Sequence, residues 1–318
     1  MKLFGLNKSN LNEVKEIPFK LEKDIQSLVE NNVESLFNLK FIQTELPVDK
    51  YRIDSLCFDE ENNSFVIIEY KKGSSYSVID QGYTYLQLLL NNKSDFLLVL
   101  SQHFNKILEM KDVDWSQSRI IFVSPSFNSF QKDSVNFKDL PFKLWEIKRY
   151  SNDTVILNQH ISDSEESIET LNPVTSNSPI SQVNKEVKVY TVDEHLSKMN
   201  QDIKDKWLEL KKELTDLEGV DFIPKRLYIG LNFNGTNICY LNFRKSYILI
   251  DILGGTVYSN KTSSKNFLTI EDPKNITSEK TRKLDSGGNQ IVYRITVDSS
   301  SDLDYIMFLI KQKYKQFI

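Results

Sequence analysis

Two carboxylates and an ammonium stand on adjoining apolar segments of this chain: Asp54 in YRIDSLCF, and Glu69 with Lys71 in SFVIIEYKK. Charges in such segments are costly to desolvate unless each finds a partner. The intervening Asp59-Glu60-Glu61-Asn62-Asn63 is polar and turn-forming, so the two segments are expected to pair as antiparallel strands. A two-residue turn at Glu61-Asn62 sets Asp54 opposite Glu69, and the two-residue period of a strand brings Lys71 to the same face. An odd-length loop would separate them. Two carboxylates about 4 Å apart repel by roughly 4 kcal/mol at an effective dielectric of about 20. Either one takes up a proton, or a hard cation such as Mg2+ or Mn2+ holds both, with the backbone carbonyl of Tyr70 as an extra ligand. Such a cation would activate water and offset charge on a phosphoryl oxygen, while Lys71 would orient that water or neutralise the transition state. The plainer reading of Glu-x-Lys in a strand is an edge-strand ion pair. Phe65-Val66-Ile67-Ile68 runs without polar alternation and favours a strand covered on both faces, whose terminal charges line a cleft.

Those residues need a scaffold. Leu21, Ile25, Leu28, Val29, Val33, Leu36 and Phe37 recur at helical spacing, which predicts an amphipathic helix over 21–37. A strand or turn is expected at 12–19, strands at 41–46, 52–58, 64–71, 96–101, 119–124 and 143–150, and helices at 78–90 and 103–110. That order predicts an α/β domain over 1–160, with a mixed sheet flanked by helices. Residues 161–188 are rich in Ser, Asn, Pro and acids, lack an apolar period, and read as a flexible linker. A second domain, 189–318, is expected to be α+β with antiparallel strands. It has a helical region over 192–218, strands at 226–232, 238–243, 247–252, 280–284 and 290–297, and a turn at Gly287-Gly288-Asn289. Ser301 is the expected cap of a closing helix over 302–317.

Asp54, Glu69 and Lys71, followed by Gln81 and Tyr85 one helical turn apart, resemble the motifs of the PD-(D/E)XK nuclease superfamily, and Gln81 to Tyr85 matches the Q-x-x-x-Y of its RecB-like branch. The run RIDSLCFDEENNSFVIIEYKKGSSYSVIDQGYTYL is most similar to a NucS-like group that often carries an extra C-terminal domain of unknown role. The resemblance implies a restriction-endonuclease-like mixed sheet and a metal-dependent nuclease, endonuclease favoured over exonuclease, acting on DNA in repair, restriction or defence. It implies catalytic roles for Asp54, Glu69, Lys71 and Gln81, a metal held by Asp54, Glu69 and Tyr70, and substrate contacts from Tyr85 and Lys72. The superfamily often adds a glutamate from the first helix; Glu22 matches best, and Glu30 is the second choice. Tyr85 also reads as simple core and Glu22 as a solvated acid. The superfamily's proline before the first acid is absent, since Ile53 precedes Asp54.

Composition narrows the alternatives. The net charge is −4, and residues 1–160 carry 19 Lys and Arg against 22 Asp and Glu, so any phosphate contact must come from a local basic patch. No apolar run approaches the length of a membrane span, and two distant cysteines, Cys57 and Cys239, fit a reducing cytoplasm rather than a disulfide framework. Three scattered histidines and the lack of a phosphate-binding glycine loop exclude a zinc site, a histidine triad and an ATPase. The rival to an enzyme is a catalytically inactive nucleic-acid-binding or scaffolding protein on a nuclease fold. The C-terminal domain is a candidate surface for a homodimer or a protein partner.

Overall fold

The computed structural model describes residues 2–318 except 74–76, 138–139, 163, 165, 167–178, 259–261, 265 and 285–287. The chain divides into two compact units, Met1–Val189 and Tyr190–Ile318. The first opens with a hairpin, β1 (Leu3–Asn7) and β2 (Asn10–Val14), that forms a sheet of its own. β3 (Glu16–Ile17), α1 (Glu22–Glu30) and α2 (Val33–Phe37) follow. Next comes an antiparallel meander, β4 (Lys40–Val48), β5 (Tyr51–Asp59) and β6 (Ser64–Tyr70). α3 (Val78–Asn91) and α4 (Lys93–Phe104) lead to β7 (Arg119–Ser124), which runs parallel to β6. α5 (Ser129–Ser134) crosses to β8 (Phe142–Tyr150), parallel to β7, and β9 (Val155–His160) returns antiparallel. α6 (Pro179–Glu186) closes the unit. The sheet order is β3-β8-β7-β6-β5-β4, with β9 on β8, which is the mixed sheet flanked by helices that the sequence predicts.

β6 sits centrally, and all its residues are buried, as its unbroken apolar run requires. Its side chains alternate between two apolar layers. Phe65 and Ile67 pack with Val78, Leu86 and Leu89 of α3, Phe96 and Leu100 of α4, and Val183 of α6. Val66, Ile68 and Tyr70 pack with Ile25 and Val29 of α1 and Val33 of α2. The next residue on the α3 side is Glu69, so strand period alone delivers this carboxylate toward the helix that carries Gln81.

Several expectations are corrected. Residues 96–101, read as a strand, lie inside α4. Phe96 and Leu100, four apart, are buried while Leu98 is exposed, which is a helical stripe that the run FLLVL conceals. The helix expected over 103–110 is absent, because Asn105 takes a left-handed φ of 48° and ends α4. The helix over 21–37 breaks at Asn31-Asn32 into α1 and α2. Within the expected linker 161–188, residues 179–186 form α6, and Val183 and Val187 are buried in the core of the first unit. Residues 163, 165 and 167–178 of that linker lie outside the described set.

The second unit contains α7 (Val192–Leu196), α8 (Gln201–Thr215), β10 (Val220–Pro224), β11 (Ile229–Phe233), β12 (Thr236–Phe243), β13 (Ile248–Tyr258), β14 (Ser278–Lys283), β15 (Gly288–Val297) and α9 (Leu303–Tyr314). Its six strands form an antiparallel sheet in the order β10-β11-β12-β13-β15-β14. Ile203, Trp207, Leu210 and Leu214 of α8 share one core with Ile306, Leu309 and Ile310 of α9. The cap of α9 is Asp302, whose carboxylate accepts the Tyr305 N–H; the Ser301 hydroxyl instead bonds Asp298. Part of the turn expected at Gly287-Gly288-Asn289 lies outside the described residues, and Gly288 and Asn289 begin β15. No helix among the described residues is long and apolar enough to cross a membrane.

Candidate active site

β5 and β6 are joined by residues 60–63, a longer connection than the expected two-residue turn. The Asp59 carboxylate accepts the N–H groups of Glu61 and Asn62 at 3.1 and 3.0 Å, and Asn63 adopts a φ of 48°. The length is still even, so the predicted register holds. The ladder's last pair is Ser55 with Ile68, and the same register, continued one step, sets Asp54 opposite Glu69. There the ladder stops, and Asp54 Oδ2 accepts the Tyr70 N–H at 3.0 Å.

Glu69 is only 2% exposed. Its Oε1 accepts from the Lys71 ammonium at 2.6 Å and from Gln81 Nε2 at 2.5 Å, whereas Oε2 is buried with no hydrogen-bond partner among the described residues. Burial, and then the charge of Asp54, push the Glu69 carboxyl up to about 7 against the opposing pull of Lys71 and Gln81. Burial also raises Asp54, opposed by the Tyr70 N–H and Lys71 and reinforced by the charges of Glu45 and Glu22. Gln81 Nε2 donates also to the Tyr85 hydroxyl at 3.2 Å, and that hydroxyl reaches the Arg52 carbonyl at 3.4 Å. Tyr85 is thus both core and anchor for Gln81.

Glu22, by contrast, is an exposed residue at the start of α1 and accepts the Lys72 N–H at 2.8 Å. The Lys72 ammonium donates to the Lys20 carbonyl. These two residues tie α1 to the segment after β6 at the rim of the site. Glu30 faces elsewhere: it accepts from the Ser55 hydroxyl at 2.6 Å and from Gln26 at 2.9 Å, and Ser55 Oγ lies 3.0 Å from the Tyr70 hydroxyl. Gln26 also donates to the Asp54 carbonyl at 3.0 Å. This network braces β5 and β6 from the α1 side, one residue from each acid.

Glu45 escaped the sequence reading. The pairs Thr44 with Ser55 and Leu46 with Ile53 bracket Glu45 and Asp54, which lie across from one another. Glu45 has a φ of 50°, a left-handed backbone inside a strand that costs about 1–3 kcal/mol for a residue with a Cβ. Its Oε1 meets the Lys23 ammonium at 3.3 Å and its Oε2 the Arg52 Nε at 2.7 Å. An acid in a strand with polar neighbours gave no signal of this geometry.

The donors suit a hard divalent cation. Asp54 and Glu69 supply carboxylate oxygens, one of them buried and unpartnered among the described residues, and the main-chain carbonyl of Tyr70 follows Glu69 directly on the chain. No group of three or more His, Cys, Asp or Glu side chains surrounds a common metal position among the described residues. Two carboxylates with a carbonyl and water is an ordinary set for Mg2+, which retains much of its hydration.

No family model matches the chain. A protein of Haemophilus influenzae (strain Rd), described as uncharacterised, is 37% identical over 317 residues, covering 99% of this chain and 100% of that one. The chain belongs to that protein's family. Among solved structures, a repair endonuclease from Pyrococcus abyssi is 18% identical, with 38% of this chain and 45% of that chain covered at a TM-score of 0.22. An EndoMS-dsDNA2 complex is 16% identical, with 46% of this chain and 64% of that chain covered at a TM-score of 0.21. The chain spans less than two thirds of either structure, and overlap at that level leaves the activity of this family member to its own side chains.

Proposed function

We propose that the first unit is a PD-(D/E)XK-type nuclease that hydrolyses phosphodiester bonds, DNA favoured, with Mg2+ or Mn2+. One observation carries the reading: Asp54 and Glu69 stand one step beyond the last β5–β6 pair, close enough for the Asp54 charge to act on Glu69, with Lys71 on Glu69 and one Glu69 oxygen unpartnered among the described residues. Asp54, Glu69 and the Tyr70 carbonyl would hold the cation, which when bound offsets phosphoryl charge and makes water a better nucleophile. The Tyr70 N–H fixes Asp54, and Gln81 with Lys71 fixes Glu69, so neither carboxylate reorganises as charge develops. Lys71 supplies a positive charge beside the reacting phosphate. Tyr85 locks Gln81, and Glu22 with Lys72 holds the rim. Free, buried Cys57 and Cys239 fit a reducing compartment such as the cytoplasm.

Labelled single-stranded, double-stranded and branched DNA, incubated with and without Mg2+ or Mn2+, tests this. Cleavage is expected only with metal, and Asp54→Asn, Glu69→Gln and Lys71→Ala should each lower it by at least about a hundredfold. Variants as active as the parent would refute the assignment. Tight DNA binding without cleavage would favour the scaffolding alternative, which the acidic balance of the chain leaves tenable.

A further inference from the structure

The charged residues grouped around Glu45, across from Asp54, have no part in the chemistry just described. Arg52 stands two residues before Asp54 on β5, with its side chain 68% exposed. Glu45 takes its Nε, and no hydrogen bond to its Nη1 or Nη2 is found among the described residues. Lys23, from α1, meets the other oxygen of Glu45 and is also exposed. Three side chains from three elements thus leave one net positive charge beside the two acids. An exposed ion pair returns little stability, less than the left-handed backbone of Glu45 costs, so packing alone does not account for the arrangement. A guanidinium held through Nε presents its two Nη groups as a planar fork, the shape that matches two oxygens of a phosphate.

We propose that Arg52, oriented by Glu45 and flanked by Lys23, binds a DNA backbone phosphate adjacent to the one at Asp54 and Glu69. The inference rests on the nuclease reading of those acids, and it names a substrate contact in a chain whose overall charge repels DNA.

The test combines steady-state cleavage in Mg2+ with binding of a fluorescent duplex in Ca2+ at several salt concentrations, on the full chain. Arg52→Ala should raise KM by about tenfold, change kcat much less, and reduce the slope of log affinity against log salt by about one. Arg52→Lys should keep the slope and recover only part of the affinity, since charge remains without the fork. Glu45→Gln should keep the slope and raise KM, because the guanidinium loses its orientation. A role confined to stability would move the melting temperature and leave the salt slope unchanged. If the parent chain cleaves DNA and Arg52→Ala matches its KM and slope, this inference fails alone. If the parent neither binds nor cleaves DNA, it fails together with the nuclease reading.

Discussion

The Glu69 carboxyl, pushed up to about 7 from 4.5 by burial and then by Asp54, keeps its proton in the folded chain at pH values where the unfolded chain has lost it. The folded state therefore binds more protons across that window, and stability falls as pH rises from about 4.5 to about 7. The full effect is on the order of 3 kcal/mol, at about 1.4 kcal/mol per unit. With EDTA present, the melting temperature is expected to drop between pH 5 and 8 in the parent chain. In Glu69→Gln the drop should be smaller; identical profiles would remove the electrostatic premise. A cation competes for the same proton, so Mn2+ affinity should rise with pH and level off above about 7. Affinity that stays flat from pH 5 to 7 would mean that Glu69 is not a ligand. At this scale the sequence was readable where strand period governs, as for Glu69 and Lys71. It was silent at Glu45, whose left-handed backbone no propensity announces.

Strands β5 and β6 decide which side chains meet, and α3 decides what meets them. The register was legible because two apolar runs flank a polar connection of even length, and parity survived a loop longer than expected. α4 was misread because a continuous apolar run suits a buried strand and a buried helix equally. Gly82, next to Gln81, shows how closely α3 approaches the sheet: a Cβ there would lie 2.7 Å from the Phe142 ring, itself buried against Tyr83. Gly82→Ala should destabilise the chain by about 1–3 kcal/mol through overpacking. It should also lower cleavage where α3 shifts off the buried Phe142 ring, since that shift carries Gln81 away from Glu69. Urea denaturation and a cleavage assay on the same sample check both. Unchanged stability would mean that Phe142 yields more easily than its burial implies.

At the scale of the whole chain, the compositional break over 161–188 hid α6, which belongs to the first unit. Its signals were a proline at the first helical position and Val183 and Val187 four residues apart, both diluted by the Ser- and Asn-rich surroundings. α6 packs on α3 through those valines and through Tyr83 with Asn184, and Glu186 pairs with Lys93 at the start of α4. A fragment of residues 1–164 should therefore be less stable than one of residues 1–189 by several kcal/mol, since each buried valine contributes about 1.5–3 kcal/mol. Equal urea midpoints would show that α6 adds nothing to the first unit. The reading as a whole requires that Asp54 and Glu69 together hold a divalent cation. Mn2+ titration of the full chain, followed by electron paramagnetic resonance at pH 7.5, tests it most directly. One bound ion per chain is expected, weakened by more than about tenfold in both Asp54→Asn and Glu69→Gln. Equal Mn2+ binding by the parent and both variants would contradict it.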